Sequence, residues 1–191
     1  GGNTNASYNT TLHLYNNATV TLDHVTITES ASRGIYLNAY STGTVARLTM
    51  TNSAVENNTN DGIYAYGSSG AHQLDISNST IRNNSNGIDA SQLASVSLSN
   101  NTFTNNTGYA AYLSFSAGTA TVLGANSGSG NGRNGIALAG SIGQDTTLPA
   151  NPGFPYIISS LTVNSGATLT LTEGVVVKPE YSNSSHFYVN G

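Results

Sequence analysis

The stretch LDISNSTIRNNSNGIDA, residues 74–90, carries the pattern from which the architecture follows. Leu74 and Ile76 alternate with polar residues, Ile81 follows five positions later, and Gly87-Ile88 opens a second alternation after a run of asparagines. A period of two places successive side chains on opposite faces of a strand, so the stretch holds three very short strands separated by polar corners. The next stretch, VSLSNNTFTNNTGYAAYL at residues 96–113, repeats the plan with Val96, Leu98, Phe103 and Ala110-Ala111 in the same order.

The Gly-Ile dipeptide recurs at Gly34-Ile35, Gly62-Ile63, Gly87-Ile88 and Gly135-Ile136, with Ala110-Ala111 filling the gap. The apolar pair recurs as Val20/Leu22, Leu48/Met50, Leu74/Ile76 and Val96/Leu98, thinning to Val122/Gly124. Strands this short make no stable hairpin alone. Coiling the chain stacks equivalent strands about 4.8 Å apart as parallel ladders around an apolar interior. The expected fold is all-β, a right-handed parallel β-helix of about five to eight coils, with Ile35, Ile63, Ile88 and Ile136 in its core.

Asparagine supplies the corners. Asn52, Asn78, Asn100 and Asn126 share one repeat position and Asn57, Asn83, Asn105 and Asn131 another, while the first coil has His24 and Glu29 there. Asparagine tolerates left-handed backbone angles, and stacked amides can bond from coil to coil, so both columns are expected to form ladders.

These N-x-x-Φ-x-N-N and G-I-x-Φ signatures resemble the parallel β-helix repeat family of large secreted bacterial surface proteins, over residues 18 to 140. The resemblance implies the fold and an extracellular or cell-surface location. It leaves function open, because that family spans lyases, epimerases, tailspikes, adhesins and purely structural fibres.

Composition narrows the classes. Charged residues are 7% of the 191, while 25 Asn, 24 Thr and 25 Ser give a polar, nearly uncharged surface. Five basic residues against nine acidic ones leave no positive stripe for phosphates, so no nucleic-acid partner is expected. The segment Tyr156 to Val177 is broken by Asn164, Ser165, Gly166 and Glu173, so no membrane insertion is expected either. No cysteine is present, which excludes disulfides and thiolate metal sites. No secretory leader is evident at the glycine-rich start, as expected of a mature fragment or an excised domain.

The coils are expected over 1–140. Pro149, Pro152 and Pro155 with Gly143 and Gly153 read 141–155 as an irregular loop, and 156–191 as a C-terminal β segment. That segment resembles the element that precedes a new coil stack in large secreted β-helix proteins. Its end, HFYVNG, would run into GGNTNASYNTTLHLYNN at the start of another copy. The segment is therefore expected to cap a coil or dock on a neighbouring unit, giving end-to-end self-association.

Little chemistry is visible. The motifs of polygalacturonase-like enzymes are absent, and only Asp61 and Asp89 are placed to approach one another; solvated turn acids are the simpler reading. His13, His24, His72 and His186 lack metal-ligand spacing, so neither a metal nor a cofactor is expected. Tyr36, Tyr64 and Tyr112 share the position after the Gly-Ile site and point outward, interrupted by Asp89, as a possible strip for polysaccharide or for stiffening the sheet. Threonine alternations such as Thr19/Thr21 and Thr49/Thr51 suggest an ice-binding array, but Asp75, Ser77, Ser97 and Ser99 break it. Among the N-x-S/T sequons, Asn5, Asn9, Asn17 and Asn183 lie outside the expected ladders and are the better glycosylation candidates. The function expected first is a non-enzymatic extracellular structural or adhesive module, with a carbohydrate-binding or carbohydrate-active β-helix as the alternative.

Overall fold

One circuit of the chain shows how the repeat becomes structure. β8 (Ala71–Ser77) runs to a corner at Asn78, β9 (Thr80–Arg82) to a corner at Asn83, and β10 (Ile88–Ser99) then closes the turn. Asn78 and Asn83 have φ of 49° and 55°, the left-handed region that an Asn side chain tolerates. Gln92, also left-handed at φ 52°, bends β10 where it passes from the first sheet to the second. The inward residues Leu74, Ile76, Ile81, Ile88, Ala90, Val96 and Leu98 are all at most 1% exposed.

In the computed structural model, which describes residues 9–180 and 185–191, such circuits stack as a parallel β-solenoid of about seven turns. The first sheet runs through β1 (Leu12–Tyr15), β4 (Ile35–Asn38), β7 (Ile63–Ala65), β10, β12 (Tyr109–Gly124), β14 (Arg133–Ile142), β16 (Tyr156–Val163) and β18 (Val177–Pro179). Ile35, Ile63, Ile88, Ala111, Ile136 and Tyr156 stand in register along its inner side, none more than 1% exposed. β2 (Thr19–Asp23), β5 (Val45–Thr51), β8 and the second halves of β10 and β12 make the next ladder. β3 (Thr26–Thr28), β6 (Ala54–Glu56), β9, β11 (Thr102–Thr104) and β13 (Ser127–Ser129) make the third.

The asparagine ladders differ from expectation by one residue. Asn52, Asn78, Asn100 and Asn57, Asn83, Asn105 are exposed corners with positive φ, joined to each other only in places, as by Asn83 Nδ2 donating to Asn57 Oδ1 at 2.9 Å. The buried ladders are built by the residue that follows each corner. Along one of them the Asn58, Asn84 and Asn106 backbone N–H groups donate to Oδ1 of Asn84, Asn106 and Asn131 at 3.0–3.1 Å. Along the other, the N–H groups of Ser79, Asn101 and Asn126 donate to Oδ1 of Asn101, Asn126 and Asn151 at 2.8–3.1 Å. Asn126 and Asn131 thus stand over Asn101 and Asn106, not over Asn100 and Asn105, because Ala125 (φ 51°) and Gly130 (φ 70°) take the corner positions in that coil. A backbone N–H at a corner has no strand partner, and a stacked amide satisfies it without water.

The proline-rich segment is also more regular than expected. It carries β15 (Thr146–Leu148), which pairs in parallel with β17 (Leu169–Leu171), and it buries Leu148 and Phe154 in the common core. β16 continues the first sheet on β14, and both β18 and β19 (His186–Val189) pair on β16, so residues 156–180 extend the same stack. Phe154 stacks on Phe103 with centroids 5.8 Å apart and rings 10° from parallel. Gly128, opposite Phe103 in the ladder, makes this possible, since a Cβ there would lie 2.5 Å from the Phe154 ring and 2.7 Å from the Phe103 carbonyl. Gly128→Ala is therefore expected to lower stability by about 1–3 kcal/mol through overpacking, read as a drop in the urea midpoint at unchanged slope.

Candidate functional site: an aromatic and acidic face on the first sheet

Because side chains alternate, the residue after each inward Ile faces out, and the first sheet aligns these residues into a column. His13, Tyr36, Tyr64, Asp89 and Tyr112 are register partners in turn, followed by Ala137, Ile157 and Lys178. His13 stacks on Tyr36 with centroids 4.7 Å apart and planes 10° apart, and Tyr36 lies 5.4 Å from Tyr64. The rings are piled along the solenoid axis, so much of each face is covered by the next ring. The more open rings are Tyr15, Tyr40 and Tyr66, each more than half exposed. Tyr15 and Tyr66 stand two residues beyond His13 and Tyr64, and the same period of two that marks the column in the sequence carries them to the outer side.

Each end of this face carries an arginine held between rings and a carboxylate. The Arg33 guanidinium lies 4.0 Å from the Tyr64 centroid and 5.1 Å from that of Tyr36, with Nε 3.5 Å from Asp61 Oδ2. Asp61 Oδ1 accepts from Asn86 Nδ2 at 2.8 Å. Farther along, the Arg133 guanidinium lies 5.1 Å from the Tyr109 centroid, and its Nε donates to Glu180 Oε1 at 3.2 Å. The Tyr109 hydroxyl donates to that same oxygen. Burial raises the Glu180 carboxyl, but hydrogen bonds from Ser159 and Tyr109 and the Arg133 charge outweigh it and hold the group below its ordinary value. Burial and the Glu180 contact push the Tyr109 phenol up to about 12.

Asp89 sits between these two groups. Burial pushes its carboxyl up to about 6, helped by the Asp61 charge and opposed by Arg33. Asp61 and Asp89 thus come to neighbouring coils on one face. Burial also raises Tyr64 and Tyr112, and the Asp89 charge adds to both shifts.

The other sequence candidates fall elsewhere. His24 is exposed beside Asp23, His72 is buried in the interior, and His186 lies against Tyr188 on β19. Among the described residues no three His, Asp or Glu side chains gather as a metal site requires. Outside the second sheet a shallow concavity of about 330 Å³ is bordered by Arg47, Thr49, Gln73, Asp75 and Ser97, with Arg47 Nε donating to Gln73 Oε1 at 3.0 Å. Its central column reads Thr21, Thr49, Asp75, Ser97, Val122, so threonine does not continue past the second coil. Of the glycosylation candidates, Asn5 and Asn183 lie outside the described residues, Asn9 is half-buried, and Asn17 is exposed with its Oδ1 accepting from the Val45 N–H at 2.9 Å.

Fold and face together define a parallel β-solenoid with an aromatic, acid-bearing outer strip. The family model described as a right handed beta helix region matches residues 2–148, most of the chain, and the chain belongs to that family. No curated protein and no solved structure matches it. The family establishes the winding, while the role rests on particular side chains.

Proposed function

We propose that the chain is a non-enzymatic structural or adhesive module working outside the cell, stacking end to end with further copies of itself in an array or filament. The observation that carries this reading is the state of the two ends. Among the described residues the inward-facing Leu12, Val20, Leu22 and Ile27 of the first coil are only half-buried, and Val177, Phe187 and Val189 at the other end are 37%, 44% and 70% exposed. There β19 rises beyond β17, leaving an apolar recess of about 390 Å³ bordered by Val163, Leu169, Leu171, Phe187 and Val189.

Such a recess takes an alternating strand, and β2 of a second copy, with Val20 and Leu22 on its inner side, has that pattern. Parallel ladders at both ends run with the same polarity, so one copy's first coil continues the other's last, and a contact of this head-to-tail kind does not close on itself. The nearly uncharged surface, insensitive to salt, supports an extracellular setting.

Sedimentation of the chain over a range of concentrations tests the reading, and reversible growth into rods visible by electron microscopy is expected. The pair Leu171→Lys and Val189→Lys is expected to weaken association at least tenfold with an unchanged circular dichroism spectrum. A chain that stays monomeric throughout, or a double variant that associates as tightly, overturns the stacking.

A second reading, polysaccharide binding, is favoured by the open rings of Tyr15, Tyr40 and Tyr66 beside the stacked column. Binding to a glycan array that Tyr15→Ala and Tyr66→Ala remove supports it, and turnover of a bound polysaccharide moves the assignment to an enzyme.

A further inference from the structure

The outer face of the first sheet holds three groupings of aromatic ring and carboxylate, of which two are filled by the protein's own cations. Tyr36 and Tyr64 with Asp61 hold the Arg33 guanidinium, and Tyr109 with Glu180 holds that of Arg133. The third is Asp89, with Tyr64 before it and Tyr112 after it in the register. Neighbouring coils lie about 4.8 Å apart, so the two rings stand roughly 10 Å from each other with the shorter Asp89 between them, and the column has a notch one coil wide. No basic group pairs with Asp89: among the described residues it is in none of the ion pairs and its carboxylate accepts no hydrogen bond, and Arg33, held over Tyr64 beside Asp61, acts on it only through its charge. Holding a carboxylate half out of water without a donor costs stability, a cost that an arriving cation would offset.

We propose that the notch formed by Tyr64, Asp89 and Tyr112 is a seat for a protonated amine carried on a sugar, so that the face recognises amino-sugar polysaccharide. The two filled groupings each hold a guanidinium over a ring with a carboxylate beside it, and a protonated amine is a more compact cation suited to the same ring-and-carboxylate chemistry. The surroundings favour a sugar as its carrier. Ser91 and Ser114, two residues beyond Asp89 and Tyr112, face the same side, and Tyr66 offers an open ring next to Tyr64. Hydroxyl groups and ring faces suit a pyranose chain running along the solenoid axis. This inference rests on the polysaccharide reading of the face and is independent of end-to-end stacking.

The test is calorimetric titration of the whole chain with β-linked glucosamine oligosaccharide, with the same oligosaccharide fully N-acetylated, and with oligolysine. Binding of the amine form at least tenfold tighter than the acetylated form is expected, with the difference abolished by Asp89→Asn and kept by Asp75→Asn on the second sheet. Equal binding of the two sugars, or a preference that survives Asp89→Asn, overturns the amine seat while leaving polysaccharide binding intact. No binding of either sugar overturns both. Tighter binding of oligolysine than of the amino sugar overturns the sugar as carrier. Because Asp89 makes no ion pair and accepts no hydrogen bond among the described residues, Asp89→Asn is not expected to unfold the chain, which its melting curve verifies.

Discussion

Replacing Asn84 by alanine is expected to cost about 2–6 kcal/mol of unfolding free energy, whereas replacing its neighbour Asn83 by glycine changes stability by less than about 1 kcal/mol. The two residues are consecutive and chemically identical, and the winding sets them apart. The Asn84 side chain is buried against the preceding coil, where Oδ1 accepts the Asn58 N–H at 3.1 Å and Nδ2 donates to the Val55 carbonyl at 3.1 Å. It also links the Asn58 and Asn106 amides, at 2.9 and 3.2 Å. Alanine leaves two buried donors of Asn58, its backbone N–H and its Nδ2, without partners, each worth about 1–3 kcal/mol, while the Val55 carbonyl keeps its place in the β6–β9 ladder. Asn83 by contrast is exposed at φ 55°, where glycine is at ease, and loses only a solvent-facing bond to Asn57. Urea unfolding of both variants checks the contrast. Equal midpoints would mean that the buried ladder does not hold the coils in register.

That contrast also shows where the sequence is legible and where it is not. The Gly-Ile recurrence and the alternating pairs mark the strands because burial acts on them directly, coil by coil. The Asn-Asn doublet is ambiguous by one place. Both residues recur at the same interval, and only where Ala125 or Gly130 stands at the corner does the remaining asparagine, Asn126 or Asn131, reveal the inner column. The prolines of 141–155 signal irregular backbone, yet β15 survives among them because Thr146 and Leu148 still alternate inward, both nearly fully buried. On the candidate face, Tyr36, Tyr64 and Tyr112 follow from the period of two. The meeting of Tyr109 with Glu180, 71 residues apart, does not, since it depends on how many coils lie between them. Asp89 reads as an interruption of a tyrosine strip. Its significance comes from what flanks it in neighbouring coils, which no local pattern carries.

The second large effect is a loss of stability in acid that originates at His72. This imidazole is fully buried, with Nδ1 2.8 Å from the Ser91 carbonyl and Nε2 3.3 Å from the Ala39 N–H. A carbonyl only accepts and an amide only donates, so Nδ1 carries the proton and Nε2 must stay bare. Protonation would turn a second N–H against the Ala39 N–H in a dry interior. Burial accordingly lowers the His72 pKa, only partly offset by the bond to Ser91. A histidine lowered in the folded state contributes stability that is complete above its ordinary value of 6.5. Below that pH the unfolded chain binds the proton and the folded one does not, so stability falls, at up to about 1.4 kcal/mol per pH unit for one proton.

Asp89 acts in the opposite sense. Its folded carboxyl sits at about 6 against an ordinary 3.8, so the folded chain takes up a proton as pH falls through that window and gains stability. The two slopes overlap, and the natural chain is expected to show a muted response between about pH 4 and 6. Asp89→Asn removes the compensating slope and should expose a steep acid loss beginning below pH 6.5. His72→Gln, which can keep both hydrogen bonds without titrating, should flatten that loss in the same background. Urea midpoints measured from pH 7 to pH 4 for Asp89→Asn alone and with His72→Gln isolate the contribution of His72, because every other carboxylate is common to both. Parallel profiles would place the acid sensitivity elsewhere than at this imidazole.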